Sequence, residues 1–250
     1  MTAQHSPLPH PEVPLTMAEA GAGRPALVLH GGRGPASVAE EVAHLAADHR
    51  VLTPTHPGFQ GTPRPDWFAG VDRLAEAYMD LLDDLELRDV VVLGSSFGGW
   101  IAAEMALRDR GQRIGRLILL GAIGPTIPGH PIRVPSAPGP APAEPPGDAA
   151  GPPPPRAAAS PADFAAMLAY TGPSLSDPGL LHRLGRVRVP ALLVWGEDDA
   201  VASPDFGRAY AAAFAAARFV AIPGAGHIPT LQAPAATFAV IDAFLASPDA

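Results

Sequence analysis

Residues 90–100, VVVLGSSFGGW, join an apolar run to a turn built from small residues. The run VVVL is typical of a buried strand, and the residues FGGWIAAEMALRD that begin at Phe97 favour a helix. Between them, GSSFG matches the pattern G-x-S-x-G with Ser96 at its centre. Such a turn strains its central residue and presents that side chain above the sheet. The stretch therefore predicts a strand, a sharp turn and a helix, with Ser96 as a candidate nucleophile; a plain Gly-Ser turn is the alternative.

Apolar runs and amphipathic segments alternate through most of the chain. Strands are predicted at ALVLH, RVLTP (stopped by Pro54), DVVVLG, RIGRLILLG, VPALLVWG and RFVAIPG, and helices at PASVAEEVAHLAADH, GVDRLAEAYMDLLDDLEL, SPADFAAMLAY, SPDFGRAYAAAFAAA and PAATFAVIDAFLA. This order predicts an α/β fold whose central sheet is mostly parallel, has about seven to eight strands and carries helices on both faces. At the N-terminus only PLTMAEAG resembles a β element, so a full first strand is not expected.

A proline-rich stretch interrupts this alternation. Residues 125–161 contain fourteen of the chain's 32 prolines. Proline lacks the backbone donor and blocks the helical turn, so most of the stretch is expected to be a loop or partly disordered. The helix SPADFAAMLAY follows, with Ser160 as its N-cap and Pro161 in its first position. We expect one domain over residues 1–250, with an insertion at approximately 125–186.

Composition excludes several classes of protein. The chain has 250 residues, a net charge of −8 and seventeen scattered arginines, which argues against a nucleic-acid or anionic membrane surface. It has no cysteine, so disulfides and thiolate chemistry are excluded. The N-terminal residues lack the features of a signal peptide, and no apolar run approaches the ~18 residues of a membrane span. We expect a cytoplasmic protein with a small-molecule substrate and no metal or cofactor; the sequence leaves the oligomeric state open.

Three further loops follow predicted strands, where the function of a parallel sheet is concentrated. The turn LHGGRG brings backbone N–H groups within reach of an oxyanion, although a simple Gly-rich turn fits equally well; His30 is interpreted as structural. WGEDDAV offers Asp198 and Asp199 as carboxylates that could orient a histidine. IPGAGHIP places His227 in the last such loop. The order serine, acid, histidine is that of one nucleophile-elbow fold.

Together LVLHGG, THPGFQGT, VVLGSSFGGWIAAEMAL, VPALLVWGEDD and IPGAGHIP resemble the α/β-hydrolase fold superfamily. The resemblance is to its serine-nucleophile, lid-bearing branch of esterases, lactonases and carbon–carbon hydrolases, and it covers almost the whole chain. It implies that Ser96 is the nucleophile and His227 the base. It selects Asp199, three residues after the glycine that ends its strand, as the acid. It also implies an oxyanion hole made by the backbone N–H groups of Phe97 and Gly32.

The resemblance extends to the pocket and the lid. HPGFQGT matches the family's Gly-rich turn, where Phe59 helps to shape the pocket, and Trp100 is a second candidate for its wall. Arg33, beside the oxyanion turn, is a candidate to bind a carboxylate. The proline-rich insertion falls where the family places its lid. That lid is usually several helices, whereas most of this insertion cannot be helical.

These observations predict a serine hydrolase that uses a Ser-His-Asp triad to cleave an ester, lactone or similar carbonyl bond of a small, largely apolar substrate. The same fold also hosts carbon–carbon bond hydrolysis, lyase and haloperoxidase-like reactions, and non-enzymatic small-ligand receptors, all of which stay open. A nucleotide-binding protein is disfavoured because the chain has neither G-x-G-x-x-G nor a P-loop lysine.

Overall fold

An eight-stranded sheet organises the computed structural model, which describes residues 3–7, 13–133 and 160–247. The strands, including one short additional pair (β7 and β8), are β1 (Ala3–Pro7), β2 (Pro14–Ala20), β3 (Arg24–Leu29), β4 (His49–Thr55), β5 (Val90–Ser95), β6 (Ile114–Leu120), β7 (Gly124–Pro125), β8 (Ser176–Asp177), β9 (Ala191–Gly196) and β10 (Ala217–Ile222). The α-helices are α1 (Ala39–Leu45), α2 (Val71–Asp84), α3 (Phe97–Arg108), α4 (Pro161–Thr171), α5 (Leu180–Arg183), α6 (Pro204–Ala212), α7 (Pro229–Gln232) and α8 (Pro234–Leu245). None of these helices is long and apolar enough to cross a bilayer.

The strands lie in the order β1-β2-β4-β3-β5-β6-β9-β10. Strand β2 is antiparallel to both of its neighbours, and every other pairing in the sheet is parallel. The predicted α/β fold with a mostly parallel sheet of seven to eight strands is therefore confirmed. Seven of the eight strands run in one direction, which brings their carboxyl ends to one edge of the sheet.

Two details of the strand predictions are wrong. A first strand does form, because β1 pairs with β2 from Ala3 opposite Ala18 to Pro7 opposite Pro14. The residues AQHSP show no strand pattern, so this strand depends on its backbone pairing with β2. Strand β4 also continues past Pro54. Strand β3 pairs with β4 only as far as Leu52. The β3–β4 ladder therefore does not need the backbone N–H that Pro54 lacks.

Each strand of the sheet centre buries both of its faces. On β5, Val90 and Val92 face one core with α2, α3 and α6, and Val91 and Leu93 face the other with α1 and α8. Such two-sided burial explains why the central strands read as continuous apolar runs. The result is the three-layer arrangement that the sequence predicted, with helices on both faces of the sheet.

The chain changes direction across the sheet at β3 and β5. From β3 it passes to β4 on one side, and from β5 it passes to β6 on the other. In open α/β sheets the crevice above such a switch point is where ligands bind. The loop that begins at His30 and the turn at Ser96 lie at this point.

Between β6 and β9 the chain leaves the sheet. Strands β7 and β8 pair with each other and join the two ends of this excursion. Helix α4 begins as predicted, because the Ser160 hydroxyl accepts the Asp163 N–H at 3.0 Å and Pro161 follows it. The insertion at 125–186 stays a prediction, and its residues 134–159, which include the proline run at 152–155, lie outside the described residues.

Candidate active site

Ser96 occupies the sharp turn between β5 and α3. Its backbone has φ 53° and ψ −113°, a conformation that costs a non-glycine residue roughly 1–3 kcal/mol. The flanking glycines permit the turn, because a Cβ atom on Gly98 would collide with the Leu29 carbonyl and one on Gly94 with the Gly98 carbonyl. The Ser96 side chain is partly exposed, whereas its neighbour Ser95 is buried in β5. The predicted strand, sharp turn and helix are therefore present, and of the two serines only Ser96 is partly exposed.

His227 connects Ser96 to Asp199. Its Nε2 lies 2.9 Å from Ser96 Oγ, and its Nδ1 lies 2.9 Å from Asp199 Oδ2. A carboxylate can only accept here, so Nδ1 carries the proton and Nε2 is free to accept the serine hydroxyl. This tautomer and geometry are those that a general base next to a nucleophile requires.

The acidic side chain of the site belongs to Asp199. Its carboxylate is buried, and Oδ1 also accepts the backbone N–H groups of Val201 and Ala202 at 2.8 and 3.0 Å. These bonds aim the other oxygen at His227. Asp198, the alternative, is exposed, and its backbone N–H donates to the Ala225 carbonyl at 2.8 Å.

The two residues predicted to supply the oxyanion donors lie near the nucleophile. Phe97 is the first residue of α3, so its N–H has no acceptor within that helix. Gly31 runs directly beside the elbow, because a Cβ atom there would lie 3.1 Å from Ser96 Cβ, and Gly32 is the next residue. The positive end of α3 adds to the favourable field for an anion at this point.

The three predicted pocket residues lie at different depths. Phe59 is fully buried below the turn, where its ring contacts His30 at 4.9 Å and Phe97 at 6.2 Å between centroids. Trp100 is also buried, packed against Gly124. Arg33 is partly exposed at the oxyanion turn. Phe59 is therefore part of the floor that supports the site, and only Arg33 of the three has appreciable access to solvent.

Helix α4 covers the oxyanion turn. The sulfur of Met167 lies 2.6 Å from the position that a Cβ atom on Gly32 would take. Asp163 Oδ1 accepts the Gln60 N–H at 2.7 Å, and the Tyr170 hydroxyl donates to the Pro57 carbonyl at 2.8 Å. Sequence reasoning missed the last two contacts, because a side chain that binds a distant backbone group leaves no periodic signal.

Two buried histidines lie beneath the same turn. Burial lowers the pKa of His30 from 6.5 to about 4, and burial together with the neighbouring His30 lowers the pKa of His56 well below its ordinary value. His56 contacts Tyr78, whose pKa is raised by burial. Both imidazoles are therefore neutral at pH 7. The structural interpretation of His30 agrees with this burial, whereas His56 and Tyr78 were not recognised from the sequence.

Among the described residues, no group of three or more His, Asp or Glu side chains is arranged to hold a metal ion. The polar groups that converge at the carboxyl edge of the sheet are a hydroxyl, an imidazole, a carboxylate and backbone donors. Such a set supports proton transfer and nucleophilic attack on a carbonyl.

Comparison with known proteins agrees with this arrangement. Residues 26–240 match the model of the alpha/beta hydrolase family. The chain belongs to the alpha/beta hydrolase family. The match spans the elbow at Ser96, the loop of Asp199 and the loop of His227.

Curated relatives of this alpha/beta hydrolase include enzymes named as hydrolases of 2-hydroxy-6-oxo compounds. A 2-hydroxy-6-oxo-2,4-heptadienoate hydrolase from Pseudomonas putida is 34% identical over 118 residues, which are 45% of this chain and 42% of the relative. A 2-hydroxy-6-oxononadienedioate/2-hydroxy-6-oxononatrienedioate hydrolase from Cupriavidus pinatubonensis is 28% identical over 222 residues, 76% of this chain and 75% of the relative. The first relatives are thus matched over only about two fifths of their length.

Solved structures with the same fold cover nearly the whole alpha/beta hydrolase chain. The enol-lactonase from Burkholderia xenovorans has a TM-score of 0.73 at 19% identity, covering 98% of this chain and 100% of the other. A hydrolase from Pseudomonas aeruginosa has a TM-score of 0.71 at 24% identity, covering 94% and 95%. At these identities the likeness shows the fold.

Proposed function

We propose that this alpha/beta hydrolase is a serine hydrolase that cleaves an ester, lactone or similar carbonyl bond of a small, largely apolar substrate. One observation carries the proposal: a continuous hydrogen-bonded chain from the Ser96 hydroxyl through His227 to the buried carboxylate of Asp199, with both links at 2.9 Å. The strained backbone of Ser96 supports it, because strain of this kind concentrates at functional residues.

The proposed reaction is acyl transfer in two halves. His227 Nε2 takes the hydroxyl proton as Ser96 Oγ attacks the carbonyl carbon, and the resulting oxyanion accepts the N–H groups of Phe97 and Gly32. Collapse breaks the bond to the leaving alkoxide, which receives the proton from His227. Water then attacks the acyl-serine with His227 as base, and the carboxylic acid is released. Asp199 stays ionised throughout and stabilises the imidazolium.

The surroundings of Ser96 support an uncharged, apolar substrate. Met167 covers the oxyanion turn, and the floor below it consists of aromatic rings that include Phe59 and Phe97. Burial in such surroundings favours apolar groups and opposes unpaired charge. We include the segment 125–186 in the proposal as a lid, because its helix α4 is the element that packs on this turn.

Hydrolysis of a carbon–carbon bond is the second candidate. Its support is the similarity to the relatives named as hydrolases of 2-hydroxy-6-oxo dienoates. The same nucleophile, base and oxyanion donors would serve attack on the ketone of such a compound. Its carboxylate would require a cationic partner, and Arg33 at the oxyanion turn is the candidate for that role.

Activity-based labelling tests the proposal. A fluorophosphonate probe is expected to modify the wild-type protein at Ser96, and the Ser96→Ala variant is expected to stay unlabelled. Ser95→Ala is the matched control, because it removes a neighbouring hydroxyl that is packed in β5 and should label normally. Absence of labelling in the folded wild type, or labelling that persists in Ser96→Ala, would contradict a serine-nucleophile mechanism.

A substrate panel separates the two candidates. It comprises p-nitrophenyl esters of increasing chain length, simple lactones, and a 2-hydroxy-6-oxo dienoate. We expect the highest kcat/KM on an ester or lactone. A dienoate preferred by more than about a hundredfold, together with a selective loss of that activity in Arg33→Met, would favour carbon–carbon hydrolysis instead. Tight binding of panel compounds without turnover would indicate a receptor.

A further inference from the structure

Tyr78, His56 and His30 form one hydrogen-bonded chain below the oxyanion turn, in which each histidine ring bonds the backbone of the other histidine and not its ring. The Tyr78 hydroxyl donates to His56 Nδ1 at 2.6 Å, and His56 Nε2–H donates to the His30 carbonyl at 3.0 Å. In return, the His56 backbone N–H donates to His30 Nε2 at 3.1 Å. His30 Nδ1–H then donates to the carbonyl of Gly31 at 2.8 Å. Every ring nitrogen of the two histidines is paired, and the chain ends on the turn itself.

The direction of these bonds is determined by the partners. A carbonyl oxygen can only accept, so His30 carries its proton on Nδ1 and His56 carries its proton on Nε2. The His56 backbone N–H can only donate, so His30 Nε2 has no proton. A second proton on His30 would sit on Nε2 and point at the His56 N–H, which would break this hydrogen bond. Burial also disfavours the charged form of His30. Each ring is thereby held in one neutral tautomer.

The last bond of the chain fixes a peptide plane. The carbonyl of Gly31 and the N–H of Gly32 belong to one peptide unit, which is trans and places them on opposite sides. With two glycines and no Cβ atoms, this unit has little steric resistance to rotation. The Gly31 carbonyl accepts one other backbone bond, from the Gly34 N–H at 3.2 Å. The His30 bond is the shorter of the two.

We propose that Tyr78, His56 and His30 are positioning residues of the reaction: their chain holds the Gly31–Gly32 peptide so that the Gly32 N–H stays directed at the oxyanion site. The inference rests on the proposed serine-hydrolase function and deepens it. It explains why a site that uses only Ser96, His227 and Asp199 chemically has two further histidines buried next to it. Removing the chain should weaken binding of the transition state while leaving ground-state binding unchanged.

Two amide substitutions at His30 separate a positioning role from simple packing. In His30→Asn the side-chain amide occupies the place of Nδ1 and can still donate to Gly31, whereas in His30→Gln it occupies the place of Nε2 and cannot. We expect His30→Gln to lower kcat by roughly ten- to a hundredfold, less than the ~10²–10³-fold effect of deleting an oxyanion donor outright, with little change in KM. We expect His30→Asn to recover most of that loss.

The affinity for a trifluoromethyl ketone distinguishes a positioning role from a packing role, because a loss of packing alone would not lower this affinity selectively. This inhibitor forms a tetrahedral oxyanion on Ser96, so its inhibition constant should rise in His30→Gln in parallel with the fall in kcat/KM. Binding of the alcohol released from the ester, which has no acyl oxygen to place in the oxyanion site, should stay unchanged. A parallel loss of affinity for both compounds would overturn the inference, as would equal kcat values for the Asn and Gln variants.

A second pair of variants changes the core less and keeps the inference testable if a His30 variant fails to fold. Tyr78→Phe removes only the hydroxyl that begins the chain. Tyr210→Phe is its control, because the buried Tyr210 hydroxyl has no hydrogen-bond partner among the described residues. We expect weaker trifluoromethyl ketone binding in Tyr78→Phe alone. An active wild type whose His30→Gln and Tyr78→Phe variants both match it overturns this inference and leaves the proposed function intact. A wild type that neither labels nor turns over any ester, lactone or dienoate overturns both.

Discussion

Gly121 faces His227 so closely that a Cβ atom on Gly121 would lie 2.7 Å from the His227 carbonyl oxygen and 3.4 Å from its Nδ1. Gly121 directly follows β6, and its φ of +50° disfavours a side chain. We expect Gly121→Ala to push His227 away from Ser96 and to lower kcat by about ten- to a hundredfold, since misplacement by about 1 Å can cost ~10²-fold. Steady-state kinetics on the preferred ester measures the effect.

Gly224→Ala is the control for the Gly121 prediction. Gly224 also has a positive φ, +67°, and precedes His227 by three residues, but a Cβ atom there would meet no atom of another described residue within 4 Å. It therefore carries the backbone strain without the collision. Equal losses of kcat in the two alanine variants would show that strain, and not the contact with His227, is responsible.

Asp199→Asn is expected to lower kcat by about 10³–10⁴-fold, because an amide that still accepts from Val201 and Ala202 would present its NH₂ group to His227 and impose the wrong tautomer. Asp198→Asn changes an exposed neighbour and should stay within about twofold of wild type. Kinetics at saturating ester gives both values. Similar losses in the two variants would refute the assignment of Asp199.

Stability should fall as the pH is lowered from about 6.5 to about 4. The pKa of His30 is lowered to about 4 by burial, so the unfolded chain binds more protons than the folded protein within this window. Stabilisation is therefore complete above pH 6.5 and lost towards pH 4, and His30 alone accounts for about 3 kcal/mol. His56, whose pKa is also lowered, acts in the same direction.

Urea unfolding between pH 4.5 and 8 tests this dependence. The free energy of unfolding should be level above pH 7 and decrease below it. His30→Asn removes one of the two groups and should flatten the slope. A free energy that stays constant down to pH 4.5, or that rises on acidification, would contradict the neutral, buried state of the two imidazoles.

The contact between Asp163 and Gln60 should stabilise helix α4 on the turn that it covers. Asp163→Ala removes the acceptor of the Gln60 N–H at 2.7 Å, and we expect a loss of roughly 1.5–3 kcal/mol, typical of a hydrogen bond to a charged group. Asp163→Asn keeps an acceptor oxygen and should lose less. Thermal unfolding of both variants measures the difference, and an equal melting temperature for wild type and Asp163→Ala would exclude this role.

Local features of the sequence predicted the core of the fold and the elbow. Continuous apolar runs identified the central strands because these strands are buried on both faces, and GSSFG identified the elbow because its glycines are required by close backbone contacts. The choice of Asp199 over Asp198 depended on resemblance to a family, since two adjacent carboxylates are equivalent in composition. The catalytic roles of Ser96, His227 and Asp199 stay proposals, and the roles of Gly32, Phe97 and Arg33 stay predictions.

Other features could not be predicted from the sequence because they arise from contacts between distant segments. His56 meets Tyr78 across 22 residues, and Gln60 meets Asp163 across 103. Neither contact changes the periodicity of its own segment. Strand β1 was missed for the same reason, because its residues form a strand only by pairing with β2.

The paired strands β7 and β8 close the base of the excursion between β6 and β9. The Thr126 N–H donates to the Asp177 carbonyl at 3.1 Å, and the Arg133 N–H donates to the Val201 carbonyl at 2.8 Å, so the base of the excursion is tied to the body of the hydrolase. Val201 also donates its N–H to Asp199 Oδ1 at 2.8 Å, so two consecutive hydrogen bonds connect Arg133 at the base of the excursion to the carboxylate that faces His227.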